Sequence, residues 1–214
     1  MTLVPNYKYE LYYLSKDYKS IAGIDEVGRG AWAGPLVAAA VILPHRLYRL
    51  RDSKILNRAK REILARKIRR LAINFGIGIA EVWEINELGL HQATFLAYER
   101  AISQIKNTDF LLIDGFRWPK SPLPHQAIIK GDNKCNSIAA ASILAKVERD
   151  KMMRQLHRSC RKYRFDLHKG YGTKLHQQRL AKHGPSEHHR QNYRPIKKLL
   201  GTKKSQAVGK PGSV

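Results

Sequence analysis

The stretch VAAAVIL, residues 37–43 and closed by Pro44, restricts the fold more than any other segment. A strand with one face in water alternates apolar and polar side chains. An unbroken apolar run of this length reads instead as a strand buried on both faces. IAGI, at 21–24, is a second apolar run, and the turn between the two is short, so they are expected to pair antiparallel. A sheet of this kind needs helices to cover it.

The remaining pattern supplies them. Within 53–71, Leu56, Ala59, Ile63, Leu64, Ile68 and Leu71 recur at helical spacing, with Lys and Arg on the other face. INFGIGIAEV, 73–82, reads as a third strand and 90–105 as a second helix. FLLID, 110–114, and AIIKGD, 127–132, read as buried strands ending in Asp114 and Asp132. Asn136 is placed to cap a long helix over 137–157, whose alanines permit close packing on a sheet. Residues 1–20 are polar and tyrosine-rich, a short helix or lead-in, and no internal repeat is visible. The expected architecture is α/β, a mixed β-sheet flanked by helices in residues 1–158. A helical C-terminal extension follows in 159–200, then a disordered basic tail in 201–214.

Charge narrows the class of partner. Lys and Arg number 40 against 17 Asp and Glu, a net +23, far beyond what solubility requires. This points to a polyanion, nucleic acid first. No apolar stretch approaches the roughly 20 residues a membrane helix needs, so no membrane partner is expected. Residues 1–13 carry no signal-peptide block. Cys135 and Cys160 are the only cysteines and form no CxxC pair. That argues against a zinc ribbon and for a reducing, cytoplasmic setting.

In so basic a chain the acids stand out. Asp25-Glu26, Asp114 and Asp132 each follow a strand-like run, and strand ends are where distant residues converge in α/β sheets. Singly, each is an ordinary turn acid. Together they read as a divalent-metal site, because clustered carboxylates repel unless a cation neutralises them. Oxygen-only ligands suit Mg²⁺ or Mn²⁺, and two such ions can drive phosphodiester hydrolysis. Neighbours on a regular strand face opposite sides, so Asp25 and Glu26 share a site only if the strand breaks; Gly28 offers the break. Asp25 is expected to lie closest to the ions.

Gly28-Arg29-Gly30 lacks the GK[ST] of a Walker loop, and an apolar strand rather than a helix follows it. Its glycines would let backbone amides approach a phosphate, with Arg29 adding charge. The plain alternative is a tight hairpin with an exposed arginine. His183, His188 and His189 lack a cysteine or carboxylate to complete a ligand set, and read as a solvated basic segment.

Several blocks, in order, carry a family resemblance. They are GIDEVGRGAWAGPLVAAAVIL, RDSKIL (51–56), HQATFLAYERAI (91–102), LLIDG (111–115), KGDNKCNSIAAASILAKVERD (130–150) and HKGYGTKLH (168–176). From about Ile21 to Pro195 the chain resembles the ribonuclease HII family. The resemblance implies a ribonuclease H-like fold and a monomeric enzyme that cuts RNA paired with DNA, including single ribonucleotides embedded in duplex DNA. It implies metal ligation by Asp25, Glu26, Asp114 and Asp132, and a phosphate-holding loop at Gly28, Arg29 and Gly30. It also implies backbone contacts from Ser53 and Lys54 and a junction-sensing tyrosine at Tyr171. On spacing alone Ser53 is a helix cap, Lys54 a solvated lysine and Tyr171 an ordinary aromatic.

Three positions depart from the family pattern. Cys135 stands where serine is usual, Ile55 where lysine is common, and Trp32 is unusual in the glycine loop. A lost hydroxyl at 135 is expected to weaken a phosphate contact near Asp132. Asp150 is the second choice for the fourth acid. The related HIII type has Glu as its last acid and an added N-terminal domain, which Asp132 and the short lead before Ile21 argue against. A non-catalytic basic nucleic-acid-binding protein would need no acid cluster.

Overall fold

The computed structural model describes residues 4–44 and 57–207, with side chains to residue 201. Ser53 and Lys54 lie outside the described residues. The two apolar runs form β1 (Ile21–Val27) and β2 (Leu36–Ile42), paired antiparallel with Asp25 opposite Ala39 and Glu26 opposite Ala38. β3 (Asn74–Ala80) joins β2 antiparallel. On the other side β4 (Phe110–Asp114) pairs parallel with β1, and β5 (His125–Ile128) with β4. The sheet order is β3-β2-β1-β4-β5.

Every residue of β2 is buried, because helices cover both faces. Ala22, Ile24, Ala38 and Ala40 pack against α3 (Val82–Ile102) through Ala93, Ala97 and Tyr98. Val37, Ala39 and Val41 pack against the alanine-rich start of α4 (Asn136–Ser159), with α2 (Arg58–Leu71) outside it. A methyl group at Gly23 would lie 2.2 Å from the Ser137 carbonyl carbon, so α4 rests directly on β1. The short α1 (Lys8–Leu14) closes the lower end with Tyr9, Tyr13 and Leu14 around Phe110.

Three expectations change. Helix α3 begins at Val82, ahead of the expected 90–105, because Glu81 and Glu84 form a reciprocal capping box. Gly89 breaks it (φ 78°), which is why the periodicity is visible only beyond that point. β5 ends at Ile128; Lys130 turns left-handed (φ 54°) and Gly131–Asn133 form a 3-10 turn. Asp132 therefore leads into α4 rather than ending a strand. Asn136 does not cap α4; the N-cap is Cys135, and buried Glu10 of α1 accepts the Ser137 amide at 2.9 Å. A carboxylate at a helix N-terminus does the same job from outside the segment.

The C-terminal part holds α5 (Phe165–His168), α6 (Lys174–His183) and α7 (Arg194–Ala207), the last running through Gly201, where the tail was expected to begin. Tyr163, Phe165, Leu180 and Ile196 pack on Ala33 and Met153 of the main body. Among the described residues no helix is long and apolar enough to cross a membrane.

His189, expected in a solvated segment, is fully buried with His176. His189 Nδ1 accepts the Ser186 amide at 3.0 Å, so its Nε2 carries the proton and donates to His176 Nε2 at 3.2 Å. His176 Nδ1 then donates to the Tyr171 carbonyl at 3.0 Å. The chain requires both rings neutral, and burial lowers His176 to about 4 and His189 to about 3. Since the unfolded chain takes up these protons near pH 6.5, their contribution is complete above that pH and is lost as pH falls toward 4. Urea unfolding at pH 5.5 should show about 1 kcal/mol less stability per histidine than at pH 7.5. His189→Asn should flatten that slope; an unchanged slope would contradict the assignment.

Candidate active site

The alternation of β1 decides where its two acids go. Ile24 faces α3, so Glu26 does as well, and Asp25 faces α4 with Gly23. They reach one site because the strand stops at Val27 and the cleft lies over its end. In parallel register Ile24 pairs with Ile113, so the next residues, Asp25 and Asp114, project side by side on the α4 face. The strand does not break between Asp25 and Glu26. A cleft of about 300 Å³ is lined by Asp25, Glu26, Asp114, Asp132 and Tyr171, with Arg61, Ser142 and Lys146 among its other walls.

Each acid is held by a protein donor. The Glu26 amide donates to Asp25 Oδ1 at 2.7 Å, Gly131 N–H to Asp114 Oδ1 at 2.6 Å, and Asn133 Nδ2 to Asp132 Oδ1 at 3.1 Å. Glu26 accepts from Tyr98 Oη and lies 3.5 Å from Arg29 Nη1. As placed, no three His, Cys, Asp or Glu side chains among the described residues form a ready ligand set. The chemistry of the donors fits a divalent cation nonetheless. Burial first, then the charges of Glu26 and Asp114, push the Asp25 carboxyl well above the usual carboxylate range, against a hydrogen bond with Ser142. Burial raises Glu26 too, opposed by Tyr98 and Arg29. A cation in the cleft offsets both causes.

Asp150, the alternative fourth acid, has another role. Lys146 Nζ donates to it at 2.8 Å and Arg61 Nη1 stands 3.8 Å away, so it fixes two cations at the cleft wall.

The glycine loop is shaped by two buried arginines that sequence reasoning missed. Gly28 is left-handed (φ 100°), and a side chain there would strike Arg149 Nε at 2.2 Å. Arg149 donates to the carbonyls of Pro35 (2.8 Å), Ala33 (3.1 Å) and Lys169 (2.9 Å). Arg190 donates to those of Gly34 (2.9 Å), Gly28 (2.6 Å) and Arg29 (3.1 Å). Burial lowers Arg149 to about 10, still cationic at neutral pH. With the carbonyls turned inward, no hydrogen bond among the described residues takes the amides of Arg29 and Gly30. Arg29 itself packs over Phe116, 4.3 Å from the ring centroid.

The loop and Tyr171 belong to one structure. Ala31 bridges to Tyr171, Trp32 N–H donates to the Gly170 carbonyl at 2.8 Å, and Arg149 lies 5.4 Å from the Tyr171 ring centroid. Trp32 packs closely against Gly172, where a methyl group would come within 2.2 Å of its ring, so this departure fastens the loop to the C-terminal part. Cys135 corrects the expected phosphate contact: it is fully buried and donates to Glu10 at 3.1 Å.

A mixed sheet of this order, with acids over the ends of its central parallel strands, is a ribonuclease H-like α/β fold. The ribonuclease H2 of Pyrococcus horikoshii OT3 superposes with a TM-score of 0.66 at 22% identity, covering 87% of this chain and 99% of that one. The ribonuclease HII of Archaeoglobus fulgidus, solved in complex with PCNA, gives 0.68 at 23% identity, covering 82% and 96%. Bst-RNase HIII in complex with Mn²⁺ gives 0.66 at 19%, covering 87% and 70%. The family model for ribonuclease HII matches residues 22–196. The ribonuclease HII of Caldanaerobacter subterraneus subsp. tengcongensis is 46% identical over 195 residues, 90% of this chain and 80% of the relative. That of Bacillus thuringiensis strain Al Hakam is 47% identical over 196 residues, covering 90% and 76%. The chain belongs to the ribonuclease HII family, endoribonucleases that cleave the RNA of RNA–DNA hybrids.

Proposed function

We propose that this chain hydrolyses the RNA strand of RNA–DNA hybrids and also nicks duplex DNA on the 5′ side of a single embedded ribonucleotide, leaving a 5′-phosphate. The observation that carries the reading is the lining of one cleft by Asp25, Glu26, Asp114, Asp132 and Tyr171, next to a glycine loop bonded to the tyrosine's own segment. Two Mg²⁺ or Mn²⁺ ions held by the four acids would supply nucleophile activation and charge stabilisation.

The protein's own groups do the rest. The amides of Arg29 and Gly30, which no hydrogen bond among the described residues takes, suit a backbone phosphate beside the RNA-to-DNA step, and Arg61 and Lys146 add positive charge at the cleft wall. Tyr171, fixed beneath Arg149, presents its ring to the neighbouring sugar. Only a ribonucleotide carries the 2′-OH, so a ring packed on a sugar that lacks it distinguishes the two. Water attacks phosphorus in line, the P–O3′ bond breaks, and the upstream fragment leaves with a 3′-hydroxyl. The enzyme acts as a monomer on this reading, and the metal-binding set is Asp25, Glu26, Asp114 and Asp132, with Asp25 closest to the ions.

The test is an end-labelled DNA duplex with one ribonucleotide, incubated in Mg²⁺, Mn²⁺ or EDTA. A nick 5′ of the ribonucleotide, absent in EDTA and absent from all-DNA duplex, is expected. Tyr171→Ala should lose most of the preference for the embedded ribonucleotide while still cutting long hybrids. Cleavage of long hybrids alone by the unaltered enzyme would overturn the junction reading. Tight binding without cleavage in any metal would favour a non-catalytic binder.

A further inference from the structure

Glu26 is the acid that reaches the cleft from the α3 face, and a buried hydroxyl meets it there. Tyr98 Oη donates to Glu26 Oε2, while Arg29 Nη1 lies 3.5 Å from Oε1. The Tyr98 ring is fully buried, its centroid 5.6 Å from that of Trp118, 6.3 Å from Phe95 and 6.4 Å from Phe116. Packed among these rings, it cannot swing, so the interior rather than the cleft sets the position of the hydroxyl.

The two carboxylate oxygens thus have different surroundings. Oε2 is tied to the interior by Tyr98, and Oε1 is shared with the exposed-side arginine of the glycine loop. We propose that Tyr98 is a positioning residue that anchors one oxygen of Glu26 so that the other meets the cation in a single orientation. This rests on Glu26 being a cation ligand, as read above. Hydrogen bonds to the far side of a ligating group fix its orientation, and their loss typically weakens metal binding by about 10- to 100-fold.

The test is Mn²⁺ binding to the free protein without nucleic acid, followed by the electron paramagnetic resonance signal of unbound Mn²⁺. Four proteins are compared: wild type, Tyr98→Phe, Glu26→Ala and the double variant. Tyr98→Phe should weaken binding about 10- to 100-fold. In the Glu26→Ala background the same change should alter affinity by less than about twofold, because the hydroxyl has no carboxylate to act through. Cleavage by Tyr98→Phe should recover at saturating Mn²⁺, since the reacting groups are untouched. Wild-type affinity in Tyr98→Phe, or equal weakening in both backgrounds, would overturn the proposal while leaving Glu26 a ligand. Wild-type affinity in Glu26→Ala would instead remove the ligand reading on which it stands. Tyr98→Met, also without the hydroxyl, carries the same comparison should the phenylalanine variant not fold.

Discussion

Asp25→Asn should abolish cleavage, by at least about 10³-fold at saturating substrate, while leaving binding of a labelled hybrid within a few-fold of wild type. The carboxylate stands beside Asp114 at the ends of the two central parallel strands, and the substitution keeps its shape while removing its charge. On the proposed reading binding rests on the glycine loop and the basic walls, which the change does not touch. The same substitution should stabilise the metal-free protein. The folded pKa of Asp25 is raised, by burial and then by Glu26 and Asp114, so its charged form at neutral pH opposes folding. Removing that charge should add about 1–2 kcal/mol in urea unfolding with EDTA present. Cutting at the wild-type rate would refute the site assignment; a less stable variant would refute the account of its electrostatics.

Arg190→Met should cost about 3–5 kcal/mol of stability and lower kcat/KM by about 10²-fold or more. Arg190 is fully buried and satisfies the carbonyls of Gly28, Arg29 and Gly34 together with the Tyr193 hydroxyl. Without it the Gly34 carbonyl loses both its hydrogen bonds, the Gly28 and Arg29 carbonyls keep only Ala31 N–H and the Tyr193 hydroxyl, and the loop loses the fork that fixes its shape. Arg190→Lys should rescue little, since one ammonium cannot span carbonyls that a planar fork reaches together. Urea titration and steady-state kinetics on both variants check this. A lysine variant close to wild type in both would show that charge alone, not the fork, shapes the loop.

What the sequence made legible was the part written in local pattern. The runs at 21–24, 37–43 and 110–114 became three adjacent strands, because unbroken apolar character has no other burial in a two-sided sheet. The acids that follow them were visible for the same reason. Asp132 was found for a partly wrong cause: a left-handed Lys130 ends the run before it, and a lysine gives no outward sign of that conformation. Arg149 and Arg190 looked like two more charges among 40 basic residues. Their partners are backbone carbonyls more than 100 positions away for Arg149 and Pro35, and still further for Arg190 and Gly28, which no periodicity reports. Tyr98 had the spacing of a helix residue and nothing to mark the acid it meets. His189 misled because polarity of a segment predicts exposure, whereas a ring with both nitrogens paired can be buried neutral.

The glycine loop has a consequence for the order in which the enzyme comes into being. Its shape depends on Gly170, His188 and Arg190, which leave the ribosome well over a hundred residues after it does. Domains assemble from the amino end during synthesis, and contacts of long sequence separation close last. A nascent chain that has released both central strands and α4 therefore holds its acids but not the finished glycine loop. On the proposed reading, full competence waits for the segment from Gly170 to Arg190, and a product terminated before it is left without that shape.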